Sequence, residues 1–138
     1  DATVVTDRRS LGAEQFFRGV FETALEPGEI VREVRFKVPA EAAYVKFPNP
    51  ASRYAVAGVF VARFPSGVRV AVTGAGPGVF RVPEMEAALS KRFTPAAIEG
   101  IKIAADGLNA NLHATAEYRA HLVGVMARRA VAAANGGA

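Results

Sequence analysis

The chain has 138 residues, of which 51% are apolar and 22% charged. Those fractions are ordinary for a globular domain, so disordered, collagen-like and low-complexity classes are excluded, and the length suits one domain with a substantial core. Cysteine is absent, which removes disulfides, zinc–thiolate and iron–sulfur ligation and thiol catalysis, and agrees with a reducing compartment such as the cytoplasm. Seventeen basic against thirteen acidic residues give a net charge of +4. The positive residues are scattered rather than gathered in a block or interleaved with aromatics, so nucleic-acid binding is disfavoured. The longest apolar run, Tyr54 to Ala62, falls far short of the roughly 18 residues of a membrane span.

Asp1 to Thr6 reads as a short strand with no leader pattern around it. Because the first residue is not Met, the chain is expected to be cut from a longer polypeptide. From Glu29 to Thr73 the pattern is mostly strand-like. Val34, Phe36 and Val38 alternate with Glu33, Arg35 and Lys37, predicting a strand with one buried face, stopped by Pro39. An apolar-rich stretch at Tyr44 to Phe47 leads to a turn at Pro48-Asn49-Pro50. Ala55 to Phe64 is nearly all apolar and predicts a central strand covered on both faces. Pro65-Ser66-Gly67 signals a hairpin, and Val68, Val70 and Val72 alternate along the return strand.

Helical punctuation dominates from Pro83 to Ala134. Pro83 suits the first turn of a helix to about Ser90, with Met85 and Leu89 on one face. Thr94-Pro95 reads as an N-cap and first helical position, with Gly107 as the stop, so a second helix is expected between them. Gly100 within it costs about 1 kcal/mol relative to alanine. A last helix runs from about Thr115 to Ala134, with Tyr118, Leu122, Val125 and Met126 at helical spacing and Arg119 and Arg128 expected to point elsewhere. Asn135-Gly136-Gly137 ends it. Strands first and helices second predict an α+β sandwich: an antiparallel sheet of three or four strands packed against about three helices.

Self-contained catalytic patterns are missing. His113 and His121 are not in a metal-binding helix spacing, carboxylates do not pair, and Ser52 has no nucleophile-elbow context. Thr73-Gly74-Ala75-Gly76-Pro77-Gly78 contains G-x-G after a strand. It lacks the third glycine, however, and Pro77 removes a backbone N–H, so an irregular exit from the sheet is the better reading.

Three local patterns carry more together than apart. They are Phe16-Phe17-x-Gly19-x-Phe21-x-Thr23 leading to Leu25-Glu26-Pro27-Gly28-Glu29-Ile30; Tyr44-x-Lys46 leading to Ala51-Ser52-Arg53-Tyr54-Ala55; and His113-Ala114-x-x-Glu117-Tyr118-Arg119-x-His121-Leu122 followed by Arg128-Arg129-Ala130. By themselves they read as a loop with buried phenylalanines, a snorkelling lysine beside a turn, and a helix start with a buried tyrosine. In this order, from about Ala13 to Ala130, the chain resembles the C-terminal domain of the FAD-binding (medium) subunit of molybdenum hydroxylases, the family of aerobic carbon monoxide dehydrogenases and xanthine dehydrogenases.

The resemblance implies a division into residues 1–12, a remnant of the preceding FAD-binding domain and linker, and residues 13–138, the C-terminal α+β domain. It implies a domain that helps to enclose FAD held mainly by an N-terminal domain. Electrons would come from a molybdenum cofactor through two [2Fe-2S] clusters in partner subunits and pass from FAD to an acceptor, with the fragment inactive by itself. The implied partners are that N-terminal domain, an iron–sulfur small subunit and a molybdenum large subunit. Carried over by position, Phe21 would lie beside the isoalloxazine ring, Ile30 or Val31 would wall the adenine, and Lys46 would stand near the flavin. Tyr54, where xanthine-dehydrogenase-like members tend to be acidic, favours the carbon-monoxide-dehydrogenase-like branch, and Asn111 stands where aspartate is common. The alternative is a stand-alone α+β interaction module without cofactor.

Overall fold

The computed structural model describes residues 2–136, so the expectations that touch Asp1 and Gly137 lie outside the described residues. The chain forms two compact units, 1–38 and 39–138.

In the first unit, β1 (Ala2–Thr6) lies between β2 (Ser10–Gly12) and β5 (Val31–Phe36) in an antiparallel sheet. A single helical turn, α1 (Ala13–Phe16), follows β2, and a small hairpin joins β3 (Phe17–Gly19) to β4 (Glu22–Thr23). Val4, Phe16 and Ala24 are buried. Phe16 meets the edge of Phe17 at 5.1 Å between ring centres, but Phe17 itself is exposed. The expected buried face of the strand before Pro39 does not appear: Val34, Phe36 and Val38 are all exposed. Alternation sets which residues share a face, but burial also needs a covering layer, and β5 is an edge strand with none in this unit.

Glu29 holds the unit's loops together. Its buried carboxylate accepts from Thr6 Oγ1 (2.7 Å), from Arg9 Nε and Nη2 (both 2.9 Å) and from the Glu26 backbone N–H (2.8 Å). Gly28 sits at φ +75° in the turn that aims it, a conformation glycine adopts without a Cβ penalty. The hydrogen bonds from Arg9, then those from the Glu26 N–H and Thr6, pull the Glu29 pKa down to about 2. A folded-state value below the ordinary 4.5 means that this group's contribution is complete above about pH 4.5 and is lost as pH falls towards 2. Carboxyl-carbon NMR titration is expected to show Glu29 still ionised at pH 3. A midpoint near 4.5 would contradict the site.

The second unit contains a four-stranded antiparallel sheet in the order β6 (Glu41–Pro48), β7 (Ala55–Phe64), β8 (Gly67–Thr73) and β9 (Phe80–Arg81). Three of its strands are the meander expected from sequence, with Pro65-Ser66 as the two-residue turn between β7 and β8, but the fourth is β9 rather than the strand before Pro39, which as β5 pairs with β1 in the first unit. Directly paired residues share a face. Val45, Val59 and Val72 therefore form one row, and Val61 with Val70 the next. This face is covered by α2 (Pro83–Lys91), packed on β8, and α3 (Ala116–Ala134), packed on β6 and β7. Met85, Leu89, Val123, Met126 and Val131 fill the gap between the layers, each essentially inaccessible, and each such burial is worth about 1.5–3 kcal/mol.

Beyond its short pairing with β9, the outer edge of β8 is closed by α2 rather than by a full strand. Val70 N–H donates to Glu86 Oε1 (3.0 Å) and Val68 N–H to Ser90 Oγ (2.9 Å). Thr115 caps α3 by accepting from the Tyr118 N–H at 3.2 Å.

Three further expectations need correction. Between Pro95 and Gly107 there is only a 3₁₀ turn, Pro95–Ile98, followed by irregular chain. Thr94 makes no side-chain cap there. Ile101 and Ile103 are half-buried while Lys102 and Ala104 are exposed, a two-residue period that docks an extended segment and overrides the weak helix signal around Gly100. Second, β7 is not covered evenly on both faces, since Phe60 remains 41% exposed on the face away from the helices. Third, Arg119 points into the domain rather than away from it and is only 4% exposed.

Candidate functional site

The sheet face opposite the helices carries the side chains with the clearest capacity to meet a flat ligand. Tyr44 and Lys46 lie two residues apart on β6, and they pair with Phe60 and Gly58 on β7. Gly58 pairs in turn with Thr73 on β8. The Tyr44 hydroxyl is hydrogen-bonded to Thr73 Oγ1 at 3.0 Å, so its ring lies across Gly58. A Cβ at Gly58 would collide with the Tyr44 hydroxyl; the missing side chain is what lets the ring lie down. Tyr44 and Phe60 are both substantially exposed, giving an aromatic surface two strands wide beside the Lys46 ammonium.

Lys46 is positioned by the turn that follows its strand. Asn49 Oδ1 accepts from the N–H groups of Ala51 (2.9 Å) and Ser52 (3.1 Å), and Arg53 N–H returns to Asn49 O at 2.9 Å. Arg53 adopts φ +63°, which a non-glycine residue seldom takes outside a turn held by its neighbours. Lys46 Nζ donates to the Arg53 carbonyl at 3.0 Å. An ammonium has three donors, so this bond orients the group and leaves capacity for a ligand.

Phe21, Ile30 and Val31 belong to the first unit and Lys46 to the second. Phe21 is fully exposed and sits at φ +58° in the tight β3–β4 turn, a left-handed backbone that a bulky residue seldom takes. Ile30 is mostly exposed and Val31 partly so.

The glycine-rich segment is a sheet exit. Gly74 has φ +75°, and a Cβ there would run into the Ala55 carbonyl. Asn109 Nδ2 donates to Gly76 O at 2.8 Å and its N–H to Ala75 O at 2.8 Å, so a neighbouring loop already occupies these carbonyls. His113 and His121 are exposed, and no group of three or more metal-ligating side chains occurs among the described residues.

Sequence reasoning missed Arg119, although its spacing contained the signal. Residue 119 lies three, four and seven positions before Leu122, Val123 and Met126, all buried, and so falls on the core stripe of α3. It also missed the Tyr44–Gly58–Thr73 contact, which joins three strands and has no local signature.

The fold and this face define an α+β domain with helices on one side of its larger sheet and an open aromatic and cationic surface on the other. Residues 42–134 match the family model described as CO dehydrogenase flavoprotein C-terminal domain, and the chain belongs to that family. It is 33% identical to the carbon monoxide dehydrogenase medium chain of Hydrogenophaga pseudoflava, covering 92% of this chain and 48% of that one. It is 32% identical to the nicotine 6-hydroxylase medium subunit of Paenarthrobacter nicotinovorans, again over 92% of this chain and 48% of the relative. Among solved structures, a Cu,Mo-CO dehydrogenase chain aligns with a TM-score of 0.75 at 25% identity, over 99% of this chain and 54% of that chain. Quinoline 2-oxidoreductase from Pseudomonas putida 86 shares the fold, with a TM-score of 0.75 at 21% identity over 99% of this chain and 53% of that one. The chain thus spans about half the length of the relatives it matches, and the resemblance to the C-terminal domain of a molybdenum hydroxylase FAD subunit holds.

Proposed function

We propose that this domain helps to enclose FAD in the flavoprotein subunit of a molybdenum-containing hydroxylase or dehydrogenase, with the Tyr44–Lys46–Phe60 face turned towards the flavin. The observation that carries the reading is this exposed sheet face in a chain of the CO dehydrogenase flavoprotein family. The residues fit the ring system of the group: Tyr44 and Phe60 offer aromatic surface, and Lys46 offers a cation on an anchored stem. The glycine-rich exit lacks the third glycine of a dinucleotide turn and has no N–H at Pro77, so it is a poor pyrophosphate cradle and the phosphates would be held by another part of the subunit.

When bound, FAD supplies electron transfer between the [2Fe-2S] clusters of a partner subunit and an external acceptor. This chain's residues bind and tune it. Lys46 places positive charge where the reduced, electron-rich ring is favoured. Phe21 adds aromatic surface worth about 0.5–1.5 kcal/mol beyond area burial, and Ile30 or Val31 gives an aliphatic wall for the adenine. The proposed partners are an N-terminal FAD-binding half, an iron–sulfur small subunit and a molybdenum large subunit in a cytoplasmic complex. The fragment, without the phosphate-binding half, is inactive. No helix among the described residues is long and apolar enough to cross a membrane.

The test is Lys46→Ala in the full subunit, measuring FAD affinity and reduction potential. Loss of an exposed cation is worth about 1 kcal/mol, or about fivefold in affinity. Expressed on the reduced form of a two-electron couple, that is a potential more negative by roughly 20 mV. Wild-type affinity and potential in this variant would remove Lys46 from the site.

A further inference from the structure

At the end of the second unit's sheet lies a cavity of about 510 Å³, lined among others by Asn49, Ser52, Asn109, Asn111, His113 and Arg119. No carboxylate lines it. Three other cavities each include acidic side chains: Glu84 and Asp106, Glu99 and Glu117, and Glu41. Arg119 is 4% exposed, and the partners of its guanidinium are all neutral. Nη1 donates to Val56 O (2.6 Å) and Gly74 O (3.2 Å), Nη2 donates to Asn111 Oδ1 (3.1 Å), and Nε has no partner.

The contrast with the rest of the molecule is direct. Arg9, Arg35 and Arg81 each engage a glutamate through Nε and Nη2 together, the side-on geometry that suits a carboxylate. The same edge of Arg119 has one amide oxygen and a vacant donor. A buried charge without a counter-charge is unfavourable unless something supplies one. Arg119, a Ser52 hydroxyl whose oxygen accepts from the Tyr54 N–H (3.4 Å) and the His113 imidazole, all on an acid-free wall, form an anion-favouring lining.

We propose that this cavity binds a small oxyanion of the phosphate or carboxylate class, which supplies the negative charge that Arg119 lacks. The proposal stands apart from the flavin reading, since the cavity is on the second unit and needs no other part of the subunit. Asn111→Asp tests it, because an aspartate keeps the oxygen that accepts from the His113 and Ala114 N–H groups and sets a carboxylate against Nη2 from within the chain.

The full chain would be melted in chloride, phosphate and acetate at equal ionic strength and pH. At about twenty times the dissociation constant of a bound oxyanion, the wild type is expected to melt about 5 °C higher than in chloride. The effective salt identifies the class, tetrahedral or planar. Asn111→Asp is expected to melt higher in chloride and to lose the response to the oxyanion. Equal melting of the wild type in all three salts, or an undiminished response in Asn111→Asp, would overturn the proposal. Should that variant not fold, the Arg119 Nε–H resonance of the wild type decides: a saturable shift with phosphate or acetate supports the site, and its absence refutes it.

Discussion

Gly74→Ala is expected to destabilise the domain by about 3–4 kcal/mol. The φ of +75° at this residue costs an L-residue about 1–2 kcal/mol. The added methyl would also press on the Ala55 carbonyl, a rigid backbone group at the start of β7, and overpacking of that kind costs about 1–3 kcal/mol. The matched control is Gly107→Ala. That glycine has the same φ of +75° but open space where the Cβ would go, so only the conformational cost applies, about 1–2 kcal/mol. Urea unfolding of the two variants separates the contributions, and equal losses would show that the approach to Ala55 is not restrictive.

Glu86→Ala follows, with an expected loss of about 3 kcal/mol. The Glu86 carboxylate takes the Val70 N–H on the open edge of β8 and both Nε (2.8 Å) and Nη2 (2.5 Å) of Arg81. Truncation takes the acceptor from a buried backbone N–H, which costs about 1–3 kcal/mol. The ion pair adds about 1 kcal/mol because Arg81 is partly exposed and its charge screened. Glu86→Gln retains an oxygen for Val70 and is expected to cost about 1 kcal/mol. Burial by itself would push the Glu86 pKa up, but the Arg81 and Val70 hydrogen bonds and the nearby positive charge outweigh it and hold the carboxyl below its ordinary range. The advantage of wild type over Glu86→Gln is therefore present above the unfolded-state pKa and lost as pH falls through the depressed folded value. Melting temperatures of both proteins between pH 7 and pH 3 would show the gap narrowing.

How much was legible follows from how local each interaction is. The ten-residue, nearly all apolar stretch Ala55–Phe64 became the central strand at those bounds, because a stretch of that length with a proline turn after it has few other solutions. The helices at Pro83 and Ala116 began where proline and threonine mark starts, since capping is set within one turn of chain. The helix expected after Pro95 failed for the complementary reason. Its propensity was weak at Gly100, and Ile98, Ile101 and Ile103 reach the core without a helix.

The candidate site divides along the same line. Lys46 was visible by its place in an ordered set of residues, but its bond to the Arg53 carbonyl depends on a turn with unusual backbone geometry. The Tyr44 ring over Gly58 needs three strands in register. Phe21, Ile30 and Val31 could be named from sequence, while their exposure could not.

Composition, periodicity and caps thus determined by themselves the α+β class, three strands of the antiparallel meander and two of the helices, while the family was legible only as a resemblance carried by three ordered residue patterns. These rest on residues close together in the chain, whose preferences act before the fold is complete. Only the tertiary structure decided which sheet face stays open, that a cavity without acids lies beside Arg119, and that α2 closes the edge of β8. Each of those depends on groups brought together from distant positions, where burial, counter-charge and hydrogen-bond partners exist only once the layers have packed.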